Sequence, residues 1–162
     1  MPSTMFGLPV HPLLVHATVV FVPLAVLLVV LAVCWPRFRA WAGPLPAGVS
    51  LVALVLTPLS TATGENLEHD LPHNALIERH AELGDQLLPF TIALFVLAAG
   101  FWWLTRTPRE TAAPKRPWPP VLVTGVGVLA VLAAIGTGVQ VARIGHSGAQ
   151  AAWSDAGSSS GG

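Results

Sequence analysis

The sequence predicts an all-α integral membrane protein, a four-helix transmembrane bundle with both termini on the extracytoplasmic side. Three observations predict it. Hydrophobic residues make up 53% of the 162 residues and charged ones only 10%, against about 25% charged in soluble domains. Four apolar runs stand out: Leu13 to Trp35, Pro46 to Thr63, Leu87 to Leu104 and Val121 to Ala142. None shows a charged face at helical period, as a helix of a soluble bundle would. Each approaches the ~20 residues that a helix needs to cross a bilayer core of about 30 Å. The spans are placed at about 12–35, 46–63, 83–105 and 120–142, within one membrane domain of residues 1–150.

In the first span, Pro12 suits an opening helical position because its missing N–H would be unpaired there. That puts His11 at the cap and His16 in the second turn. No Lys or Arg lies between Met1 and Val15, and the run is long, so it reads as a retained span and not a cleaved leader. In the second, Ser60, Thr61 and Thr63 end the helix next to Gly64, where polar residues meet the interface. The third is expected to start at Pro72 and run unbroken through "HNALIERHAELGD" into the apolar run, with a kink near Pro89. The fourth carries Ala130, Ala134 and Gly138 at four-residue spacing, which lets backbones approach closely. Packing within the bundle is the plainer use of that stripe, and a homodimer seam the alternative. The tail, residues 151–162, ends in "GSSSGG" and reads as disordered.

The loops orient the bundle. Arg37, Arg39, Arg106, Arg109, Lys115 and Arg116 are six of the eight basic residues, and they flank the loops after the first and third spans. The positive-inside rule assigns those loops to the cytoplasm. Trp35, Trp41, Trp102, Trp103 and Trp118 fall at the same level, as an aromatic belt. The 64–86 loop and both termini are then outside. Formal net charge is zero, so nothing points to a nucleic-acid partner. The partner composition demands is the lipid bilayer; a redox partner protein or a second copy would be additional.

On this topology all six histidines, His11, His16, His69, His73, His80 and His146, lie at the outer end. Polar groups at membrane depth are costly and face the bundle interior as a rule. Three readings compete. Each histidine can satisfy itself locally, as a cap or on a backbone carbonyl. Two of them, with His16 and His80 the best-placed pair and His146 in reserve, can ligate a b-type haem, with Arg79 and Arg143 as cations for its propionates. A bare divalent transition metal can take several of His11, His16, His73, His80 and His146. Spacing does not favour the last, because there is neither a His-Glu-x-x-His nor a Glu-x-x-His pair. No nucleophile and base stand out, so no catalytic residue is assigned and enzymatic activity is left open. A haem- or metal-binding electron-transfer subunit leads. A structural accessory protein is the alternative. A small transporter or proton relay comes third, because few polar residues lie in the spans.

"GLPVHPLLVH" near the start, "TATG" at the end of the second span, a histidine entering the third and "RIGHSGAQAAW" after the fourth resemble the domain of unknown function 2231 family. The resemblance covers nearly the whole chain and implies a small bacterial four-helix protein of the plasma membrane, with no established activity. Some relatives are fused to c-type cytochrome domains, which implies a redox setting. It carries His11, His16, Gly145 and Gly148 over most directly, and His80 and His146 less so. Relatives often have Phe-Pro where this chain has Ala17 and Thr18.

Overall fold

A computed structural model describes residues 4–5, 8–69, 75–106 and 118–158 of the chain. Thr4–Met5 (β1) and Leu8–Pro9 (β2) form a two-residue antiparallel pairing before the first helix. The helices are α1 (Val10–Cys34), α2 (Pro36–Ala42), α3 (Leu45–His69), α4 (Ala75–Asp85), α5 (Leu87–Thr105) and α6 (Pro120–Ser158). Among the described residues four stretches are long and apolar enough to cross a membrane: His11–Cys34, Leu45–Glu65, Ala75–Thr105 and Pro120–Gln150.

The spans form a square. α1 packs on α3 and α6, α5 packs on the same two, and α1 and α5 meet only at a few points across the diagonal. The centre is made of Val22, Ala25, Val29, Ala53, Leu94, Ala98, Ala130 and Ala134. Small residues dominate because apolar lipid gives no hydrophobic drive to association, so close backbone approach and dispersion must hold the helices. Ala130 and Ala134 are fully buried within this one chain. The small-residue stripe is therefore used up inside the bundle, as its plainer reading expected. Buried hydroxyls satisfy themselves on their own helix: Ser50, Thr57 and Thr137 donate to the carbonyls of Pro46, Ala53 and Ala133 at 2.7–2.9 Å.

Three elements differ from the sequence expectation. The third span is interrupted at Gln86, between α4 and α5, and not merely kinked at Pro89. Pro89 has no N–H for the Asp85 carbonyl four residues back, and its ring crowds that carbonyl. The effect therefore appears one turn upstream of the proline. Gln140 of α6 reaches this break and donates from Nε2 to the Leu83 carbonyl at 2.9 Å. Second, α3 does not end at Gly64 but continues to His69. Third, α6 runs on to Ser158, into the segment read as a disordered tail. The expected start at Pro72 lies outside the described residues.

At the end of the bundle that carries the arginines, Trp35 is extended, as a residue before proline must be, and Pro36 opens α2. Phe38 lies between Trp35 and Trp41, with ring centroids at 6.3 and 5.7 Å. The chain then turns back through Gly43, whose φ of 55° a side chain would resist. Trp35, Trp41, Trp103 and Trp118 are all exposed at this same end, as an interfacial belt requires.

Candidate functional site

The opposite end of the bundle holds a cavity of about 580 Å³ between the helices. That is within the roughly 300–1,000 Å³ usual for ligand sites. Its walls are mainly apolar, with Val15, Val19, Ile77 and Ile144 among them. Among the described residues two histidines, His11 and His80, line it. They come from α1 and from α4, which leads into α5, so they approach from diagonally opposed corners of the square.

Each ring is held by a neighbouring helix. His11 Nδ1 lies 3.2 Å from the Thr63 hydroxyl of α3, and the Ser60 carbonyl faces the same ring. His80 Nδ1 lies 3.0 Å from the Ser147 hydroxyl of α6. Beside each hydroxyl is a glycine. A Cβ at Gly64 would come within 3.1 Å of His11 Cε1, and one at Gly148 within 3.0 Å of His80 Cε1. The absence of a side chain at these two positions is what lets the imidazoles lie against the helices.

The other predicted residues fall elsewhere. His16 is exposed, and its Nδ1–H donates to the Pro12 carbonyl of its own helix at 2.6 Å. The structure thus pairs His80 with His11 across the cavity and leaves His16 outside its lining. Helical geometry explains the choice: residues five apart are about 140° apart around the axis, so His11 and His16 cannot share a face. His146 is exposed on α6, one position from the buried Ser147. Arg79 and Arg143 are exposed and do not line the cavity; Arg143 donates to Gln140 Oε1 at 3.5 Å. His73 lies outside the described residues. Among the described residues no three of His, Cys, Asp and Glu converge on a position that could hold a metal ion.

Two carboxylates, Glu65 and Asp85, line the cavity as well. Thr63, Gly64 and Ser147 were missed as site residues, and Gly148 entered only through the family resemblance. Their signal was present: "TATG" and "GHSG" each place a hydroxyl directly before a glycine, once per hairpin.

A model of the domain of unknown function 2231 family, described as a predicted membrane protein, matches residues 7–160. The chain belongs to that family. No curated protein and no solved structure is significantly similar to it. Family and fold together make it a multi-pass membrane protein whose helices lie in a lipid bilayer.

Proposed function

We propose that this family member is an electron-transfer subunit of a bacterial plasma membrane that holds a b-type haem in the cavity between His11 and His80. One observation carries the reading: two imidazoles on diagonally opposed helices line a single apolar cavity of ligand size. Facing helices of a bundle supply axial ligands in this way. Among the described residues no third ligand joins these two histidines, whereas a bare ion takes three or four protein ligands. Glu65 and Asp85 constrain the pose, because the propionate edge of a haem must turn away from them. The positive-inside distribution supports an extracytoplasmic histidine end, with both termini on that side.

A second reading draws on the same distances. The His11–Thr63 and His80–Ser147 contacts link α1 to α3 and α4 to α6, so they can act as structural clamps in a protein without cofactor. The deciding experiment is an optical spectrum of detergent-purified protein, air-oxidised and then dithionite-reduced, after expression with haem supplied. Elemental analysis is done on the same sample. A reduced-minus-oxidised b-type signal at one haem per chain is the expected result. Protein free of haem and of stoichiometric metal, destabilised by loss of either histidine, establishes the clamp.

A further inference from the structure

The two cavity histidines are held by the same device in both halves of the molecule. His11 reaches from the first helix of one hairpin to a hydroxyl on the second. His80 does the same in the other hairpin. In both the engaged atom is Nδ1, and in both the residue after the hydroxyl is a glycine that seats the ring. The distances agree to within a few tenths of an ångström although the two hydroxyls are of different types.

A hydroxyl has one proton. Thr63 directs its own at the carbonyls of Leu59 and Ser60, both at 3.0 Å, and Ser147 directs its own at the Ile144 carbonyl at 2.9 Å. Carbonyls only accept, so these protons are committed to the helix backbone. Each hydroxyl oxygen then offers the imidazole nothing but lone pairs. With the hydroxyl protons so placed, the ring supplies the proton of the Nδ1···O contact. The opposite tautomer would set the bare Nδ1 against oxygen lone pairs, unless the hydroxyl gave up its carbonyl.

We infer that Thr63 and Ser147 are positioning residues that fix His11 and His80 as Nδ1–H tautomers and leave both Nε2 lone pairs for a ligand in the cavity. This is the state a metal-bound imidazole requires: the far nitrogen donates to an acceptor, which sets ring orientation and raises the basicity of the ligating nitrogen. His16 marks the contrast, since the acceptor for its Nδ1–H belongs to its own helix. For its effect on iron the inference rests on the haem reading; for the tautomer it does not.

The first test therefore uses the ligand-free protein, labelled with ¹⁵N-histidine in lipid nanodiscs at alkaline pH, where ¹⁵N shifts distinguish protonated from bare ring nitrogens. His11 and His80 should both carry the proton on Nδ1. Thr63→Val should move His11 alone toward the Nε2–H form, Ser147→Ala should move His80 alone, and Thr63→Ser should keep the wild-type pattern. Wild-type rings protonated on Nε2 overturn the inference whether or not haem binds. The second test is a redox titration of the haem-loaded protein. Both variants should keep a two-histidine spectrum and shift the midpoint potential upward, because an imidazole without its acceptor stabilises ferric iron less. Unchanged potentials in both overturn the role at iron. Wild type that takes up no haem counts against the haem reading, and the NMR result still decides the tautomer.

Discussion

The two ends of this bundle use the same contact for opposite purposes. At the arginine end a ring lies on a glycine to fill space. Phe101 is 6% exposed and sits where a Cβ on Gly127 would be 3.1 Å away. Arg39 closes over it at 5.3 Å and donates to the Ala32 carbonyl at 3.3 Å. Midway along, Phe90 lies on Gly136 at the same 3.1 Å. At the histidine end the rings on Gly64 and Gly148 are imidazoles, and the space between them stays open. A chain that closes one end with phenylalanine has the means to close the other. Two polar rings held at the edge of an apolar space have the form of a binding site.

The largest break in that comparison comes from the imidazoles. His80→Ala and His11→Ala should each weaken haem binding by at least about 100-fold and abolish the two-histidine spectrum. Loss of a second partner to a ligating histidine alone costs roughly 10–100-fold in metal affinity. Haem titration into purified apoprotein measures it. Wild-type affinity in both variants would remove the ligand assignment.

At the closed end the expected loss is in stability. Phe101→Ala empties the space over Gly127 and under Arg39, and should cost about 1–3 kcal/mol, below the range of soluble cores because in lipid the loss is of packing and not of transfer from water. Unfolding in detergent reads the loss. Haem affinity per folded molecule should stay within a few-fold of wild type, because the cavity lies at the other end. Equal damage to binding would mean that the two ends are one cooperative unit.

A smaller effect should follow when the glycines under the imidazoles change. The added methyl of Gly148→Ala or Gly64→Ala would stand 3.0 or 3.1 Å from the ring. The imidazole must give way by a few tenths of an ångström. Roughly tenfold weaker binding is expected, at the low end of the range for altered support of a ligating histidine. The fold should lose no more than about 1–3 kcal/mol, as overpacked sites do. The same haem titration checks it, with Gly125→Ala as control, which lies outside the cavity lining and has nothing within 4 Å of the added carbon.

The spans were legible because their signal is local: an apolar run of sufficient length means a crossing wherever it occurs. The helix ends were less so. Gly64 reads as a stop, yet α3 passes through it, because a histidine on α1 lies against the missing side chain and α3 has no reason to unwind there. Pro89 announced a disturbance, and the missing donor placed it at Gln86. The cavity was the hardest part to read. Spacing says that His11 and His16 occupy different faces of α1, but only helix packing says which face turns inward. Thr63 and Ser147 look like ordinary hydroxyls bonded back to their own helix, which they are. Their second role depends on a ring 52 residues away in one case and 67 in the other.

The smallest effect should come from His16, which the sequence offered with His80 as the best-placed ligand pair. His16 is exposed, tied to its own helix through Pro12, and absent from the cavity lining. Surface substitutions away from such features usually change stability by less than about 0.5 kcal/mol. His16→Ala should stay within that range and leave haem affinity unchanged, whereas the same substitution five residues earlier should weaken binding by at least about 100-fold. The pair of titrations tests helix phase directly. Were His16→Ala to lose haem while His11→Ala kept it, α1 would have to be rotated by about 140° from the packing seen here.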